Sequence, residues 1–138
     1  IFALNSGQGA PGDLPAGDFR IIDNRAWDNN LACPAAEHPP FSGIGIGLFG
    51  VQGTLVKGNV VLDQDSSTAS LSKGGIVLFS TVALGGADAS NNTVRENLVK
   101  NNQPADIVWD GNGSGNKVQH NWCRTAIPGN LGWCSSHH

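Results

Sequence analysis

Four segments of the chain align on an asparagine, and that repeat limits the fold more than any other feature. They read FRIIDNRAWDN, TLVKGNVVLDQ, NTVRENLVKNN and NKVQHNWCRTA, with Asn24, Asn59, Asn97 and Asn121 in one column. Three residues before the asparagine stand Ile21, Val56, Val94 and Val118. Two residues after it stand Ala26, Val61, Val99 and Cys123, and four after it Asp28, Asp63, Asn101 and Thr125. Self-similarity of this kind marks a unit too small to bury its own apolar face, which becomes stable only when copies stack.

A second set of columns precedes each segment. IFALNS, GIGLFG, GIVLFS and DIVWDG align Phe2, Ile46, Ile76 and Ile107, with Leu4, Leu48, Leu78 and Trp109 two residues on. Each repeat therefore reads as a strand, a variable loop, a strand, an asparagine turn and a third strand. The column asparagines are 35, 38 and 24 residues apart, and the surplus length falls in breaker-rich loops such as CPAAEHPPFSG and DSSTASLSKG. Nothing sustains helical periodicity, and the short apolar runs are bounded by turn residues. The fold expected is all-β: a right-handed parallel β-helix of about four coils, one domain over residues 1–138, with a C-terminal cap over 122–134.

In such a stack the asparagine has a physical task. It tolerates left-handed dihedrals in a tight turn and bonds locally to backbone. Stacked from coil to coil, each side-chain amide can donate to the next amide oxygen, forming a ladder that satisfies buried polar groups. Asn24, Asn59, Asn97 and Asn121 are expected to be scaffold.

Composition removes several functions. The net charge is −3 and charged residues make up 14%, so there is no basic excess to neutralise a phosphate backbone, and nucleic acid is not an expected partner. No apolar run approaches the roughly 18 residues of a membrane span. Of three cysteines, Cys123 and Cys134 bracket a Pro/Gly loop, CRTAIPGNLGWC, and are expected to form a disulfide, which implies an oxidising, extracellular or periplasmic compartment. Cys33 is left over and reads as a small buried hydrophobe. Trp122 and Trp133 are assigned to the C-terminal cap. Ile1 starts inside the first strand column without a capping element, so the chain is expected either to be the C-terminal part of a longer β-helix or to self-associate through that first coil. His137 and His138 have the look of a tag remnant and are set aside.

The I-x-x-N-x-V pattern with GI-x-L between repeats resembles the right-handed β-helix repeats of the pectate-lyase-like superfamily. It is nearest in flavour to secreted actinobacterial and periplasmic copper-accessory β-helix proteins. The ending NWCRTAIPGNLGWC is similar to the Asn-Cys…Cys ending of such secreted chains. The resemblance covers nearly the whole sequence and implies the fold. It spans lyases, hydrolases, epimerases and adhesins, so it implies no single activity. Uronate chemistry of the family kind would need an Arg or Lys base beside a carboxylate-bound calcium, and no position matches such a site residue by residue.

Candidate site residues come from the columns flanking the asparagine. Two before it stand Ile22, Lys57, Arg95 and Gln119; three after it stand Trp27, Leu62, Lys100 and Arg124. Alternation turns these outward, so Lys57 and Arg95 should stack about 5 Å apart and, with Lys100, could grip an anionic sugar chain. A plain solvated face is the competing reading. Phe49 and Phe79 align, with Asn5 and Asp110 continuing their column, and would form an aromatic platform if they faced out; core packing is the alternative. Glu96 and His120 occupy adjacent rungs of the column before the asparagine and could relay a proton; an ordinary turn pair is the plainer reading. Asp106 and Asp110, like Asp63 and Asp65, are weak calcium candidates, because neither cluster supplies the 6–8 oxygens that calcium takes. His38 is a lone loop histidine, and with no methionine a copper site is not visible. Asn91 and Asn112 sit in N-glycosylation sequons. No cofactor is expected. The leading functional expectation is a secreted scaffold binding an extended acidic polysaccharide on its side; a polysaccharide lyase or hydrolase and a structural, self-associating module are the alternatives.

Overall fold

The computed structural model of the chain describes residues 1–7, 16–36 and 39–135. Its strands follow one another in a fixed rhythm: β1 (Phe2–Leu4), β2 (Arg20–Ile22) and β3 (Arg25–Trp27); β4 (Ile44–Phe49), β5 (Leu55–Lys57) and β6 (Val60–Leu62); β7 (Gly74–Phe79), β8 (Thr93–Arg95) and β9 (Leu98–Lys100); then β10 (Ile107–Trp109), β11 (Lys117–Gln119) and β12 (Ala126–Ile127). Strands at the same place in the rhythm pair with one another, always in parallel. The first sheet runs β1-β4-β7-β10-β12, the second β11-β8-β5-β2, and the third β3-β6-β9. A bridge from Leu98 to Trp122 adds a fourth rung to the third sheet.

The repeat explains this pairing. The three-residue strands of the second and third sheets turn their middle side chain inward, and the sequence puts an aliphatic there. Ile21, Val56, Val94 and Val118 line the second sheet, and Ala26, Val61 and Val99 the third; all are buried. All of them except Ala26 meet Ile46, Leu48, Ile76, Leu78 and Ile107 of the first sheet in one core cluster. Each fully buried side chain of this size contributes roughly 1.5–3 kcal/mol by leaving water.

The sequence alignment of the first strand needs correction. Phe2 pairs with Gly47 and Ala3 with Leu48, one residue out of step with the pairing of Phe2 to Ile46. A slip of one exchanges the faces of a strand: Ala3 enters the core, while Phe2 is 48% exposed. From Ile46, Ile76 and Ile107 onward the columns align as read. The column of Phe49 and Phe79 consequently continues to Leu4, not to Asn5.

A second correction concerns the corners. The left-handed residue is the one before each column asparagine: Asp23 (φ 57°), Gly58 (φ 69°), Glu96 (φ 57°) and His120 (φ 54°). Glycine takes this conformation without strain, and Asp is among the residues that tolerate it best. The asparagine can then adopt ordinary dihedrals and turn its amide inward.

Cys123 and Cys134 form a disulfide with Cα atoms 4.9 Å apart, beside a bridge between Asn121 and Cys134. Trp133 packs on the core and on Trp109, ring centroids 6.1 Å apart. Cys33, expected to be buried, is exposed and unbridged, since it sits in the loop outside the repeat columns. Among the described residues the only helical element is one 3₁₀ turn, Val82–Leu84, and no helix is long and apolar enough to cross a membrane.

Candidate functional site

The asparagine column is a ladder. Asn24 Nδ2 donates to Asn59 Oδ1 at 3.1 Å, Asn59 Nδ2 to Asn97 Oδ1 at 3.0 Å, and Asn97 Nδ2 to Asn121 Oδ1 at 2.9 Å. Each of those oxygens also accepts the backbone N–H of the donor residue, at 2.9–3.1 Å. The amide nitrogen reaches further, to the carbonyl three residues ahead of its neighbour: Asn59 to Ile21, Asn97 to Val56, Asn121 to Val94.

Two more polar columns follow the same rule at the other corners, and sequence reasoning missed both. Thr54 N donates to Asn92 Oδ1, and Asn92 donates through N and Nδ2 to Asn116 Oδ1. Asn29 N donates to Gln64 Oε1, Gln64 N to Asn102 Oδ1, and Asn102 through N and Nδ2 to Asp106 Oδ1. Spacing of five residues, 92–97–102, was the available signal; mixed residue types along each column hid it.

Asp106 is therefore not a calcium ligand in waiting. It is buried, and its second oxygen accepts the N–H groups of Arg124 (2.9 Å) and Thr125 (3.3 Å). Asp110, expected on the same face, lies at the other end of β10, exposed, accepting from Ser80 N and Asn112 N. Asp63 accepts from Asn101 Nδ2, while Asp65 N bonds to Asn30 Oδ1. Among the described residues no group of three or more His, Cys, Asp or Glu could hold a metal ion. His38, His137 and His138 lie outside the described residues.

The aromatic platform is also overturned. Phe49 is fully buried, and Phe79 is half-buried. Both belong to a second apolar cluster with Ile44, Val77, Phe41 and Val108, on the far side of the first sheet. The loops between repeats cover that face, so all six residues of β4 are buried and simple alternation fails.

The cation pair is where the columns placed it. Lys57 and Arg95 are register partners, and Ile22 and Gln119 extend their column. Glu96 lies between them: its carboxylate is 3.5 Å from Lys57 Nζ and 2.6 Å from Arg95 NH1. These groups are solvated, so each pair contributes at most about 1 kcal/mol. The acid of the supposed Glu96–His120 relay is thus engaged by the cations. What joins Glu96 to His120 is backbone, Glu96 N to His120 O at 3.1 Å. Lys100 follows Leu62 in the neighbouring column of the third sheet.

The outer face of that third sheet carries the residues that sequence reasoning assigned elsewhere or passed over. Trp27 is 61% exposed and Trp122 is 41% exposed. Trp122 belongs to the sheet through its bridge to Leu98, which takes it out of the cap. Between the two indoles lie the half-exposed Val60, Leu62 and Leu98. Comparison with known proteins finds no matching family model, no matching curated protein and no matching solved structure.

Proposed function

We propose that the chain is a secreted right-handed parallel β-helix of about four coils, akin to the pectate-lyase-like repeats, that binds an extended acidic polysaccharide along its side. The cyclic order of strands through three parallel sheets supports the coil reading, and parallel strands joined by crossovers are nearly always right-handed. The disulfide is compatible with an oxidising compartment.

One observation carries the binding function: the distribution of charge. Of the eight Lys and Arg, Arg20, Lys57, Arg95 and Lys117 take one place each on the four strands of the second sheet, and Arg25, Lys100 and Arg124 lie on the third-sheet side. Lys73, the eighth, donates to the Ser66 carbonyl in a loop. The acids gather at the corners instead, at the left-handed positions of Asp18, Asp23, Asp28, Asp63 and Glu96. A polyanion laid along the stack would meet a cation at every strand step of about 4.8 Å, although the chain as a whole is negative.

Titration with a panel of uronate polysaccharides at low and moderate salt tests this. Binding should weaken with salt, since exposed charges are screened beyond about 8–10 Å. The variant Lys57→Ala/Arg95→Ala should lose several-fold in affinity, and unchanged affinity would remove this face from the site. New unsaturated ends would point to a lyase instead, and self-association without glycan affinity to a structural module.

A further inference from the structure

We infer that the outer face of the third sheet is the surface on which sugar rings of the acidic glycan stack, with Trp27 and Trp122 as the two ring platforms; this rests on the reading just proposed. On β3, Arg25 and Trp27 point outward on either side of the buried Ala26. At the opposite end of the sheet, Trp122 and Arg124 are exposed on either side of the buried Cys123. The Arg25–Trp27 end therefore presents one indole and one guanidinium on one face, about 7 Å apart along the strand, while Arg124 follows Trp122 at a bend where the chain leaves the sheet, its N–H bonded to Asp106 Oδ2. Register sets the two indoles in different columns. Arg25 heads the column Val60, Leu98, Trp122, and Trp27 heads the column Leu62, Lys100.

This pattern fits a pyranuronate chain. The ring has an apolar C–H face, which suits the electron-rich face of an indole. Its edge carries a carboxylate, which suits the planar fork of a guanidinium. The Val60, Leu62 and Leu98 side chains between the platforms would keep the stretch between two stacked rings dry, and Lys100 adds a central cation.

Size decides against a protein partner. Strands of three residues at about 3.3 Å per residue and three strand steps of about 4.8 Å give a face of about 10 by 15 Å. A stable protein interface takes about 800 Å² from each partner. The face is too narrow for that and long enough for a linear chain running along the stack, with the indoles about 14 Å apart in that direction.

Calorimetry of the full chain with a decameric oligogalacturonate tests the assignment. Trp27→Ala and Trp122→Ala should each weaken binding about tenfold or more, as interface tryptophans do, while Trp27→Phe retains most of the affinity. In the unaltered protein, the indole N–H signals of Trp27 and Trp122 should shift on titration, and those of Trp109 and Trp133 should stay. If Lys57→Ala/Arg95→Ala weakens binding but both tryptophan variants bind normally and their signals stay, the stacking assignment is overturned and the glycan reading stands. No binding by the unaltered chain to any uronate polymer overturns both. A dimer in sedimentation equilibrium that Trp27→Ala dissolves would overturn the assignment in favour of a second copy.

Discussion

Asn24 and Asn97 occupy the same column and differ in depth, which makes them a controlled pair. In Asn97, Oδ1 accepts from Asn59 N and Asn59 Nδ2, while Nδ2 donates to Asn121 Oδ1, Val56 O and Arg95 O. The residue is fully buried. Asn97→Ala leaves the Asn59 backbone N–H without a partner in a place water does not reach, at about 1–3 kcal/mol. Asn59 Nδ2 keeps Ile21 O and Lys57 O, and Val56 O and Arg95 O each lose one bond. With those weaker losses the total is about 3–5 kcal/mol, a large share of the roughly 5–15 kcal/mol that holds a domain together. Asn24 is exposed and donates only to Ile22 O and Asn59 Oδ1; the latter oxygen keeps the Asn24 N–H. Water replaces what Asn24→Ala removes, so its cost stays below about 1 kcal/mol. Urea unfolding of both variants, with unchanged slopes, reads the two numbers directly. Equal losses, or a loss under about 1 kcal/mol for Asn97→Ala, would refute the ladder as a source of stability.

Three other outcomes follow from the corners and the cap. Thr54 holds a ladder position, yet its Oγ1 is buried without a partner; Thr54→Asn would supply an amide reaching Asn92 Oδ1 and should raise stability by about 1 kcal/mol, seen as a higher urea midpoint. Asp106→Asn should cost about 2–4 kcal/mol, because either amide orientation sets an NH₂ against two donors, whereas Asp110→Asn, on an exposed turn, should cost under about 1 kcal/mol in the same assay. Replacing both Cys123 and Cys134 by serine should cost about 3 kcal/mol by the chain-entropy estimate for so short a loop, and an unchanged midpoint would show that the end of the chain holds without its covalent link.

The strand columns were legible because their residue types repeat. Val56, Val94 and Val118 announce one inward position, and Asn59, Asn97 and Asn121 announce one corner. The other two corners were not legible, because their columns mix residue types: Gln64, Asn102 and Asp106 do the same bonding with different side chains, and Thr54, above Asn92 and Asn116, joins its column through backbone N–H alone. Phe49 was misplaced for another reason: alternation predicts facing only where one side of a sheet meets water, and here loops bury both sides of β4. Trp122 was drawn to the cap by its neighbour Cys123, although its own position, one after a column asparagine, already placed it outward beside Leu98. Lys57 and Arg95 were read in their true register, but Glu96 between them could not be foreseen as their partner, since a left-handed corner sends its side chain back across the strand ends.

The bonding rule at the corners is indifferent to how much chain intervenes. Successive rungs are joined across 35, 38 and 24 residues, yet the amide contacts stay at 2.9–3.1 Å. Each corner thus indexes its repeat by what lies directly beneath it, not by counting residues along the chain. Stretches beyond the corner residues, such as the one after Gln64 and before β7, can therefore be lengthened, shortened or exchanged without disturbing the alignment of the cation and tryptophan faces, which gives this architecture a natural place to accept grafted sequence.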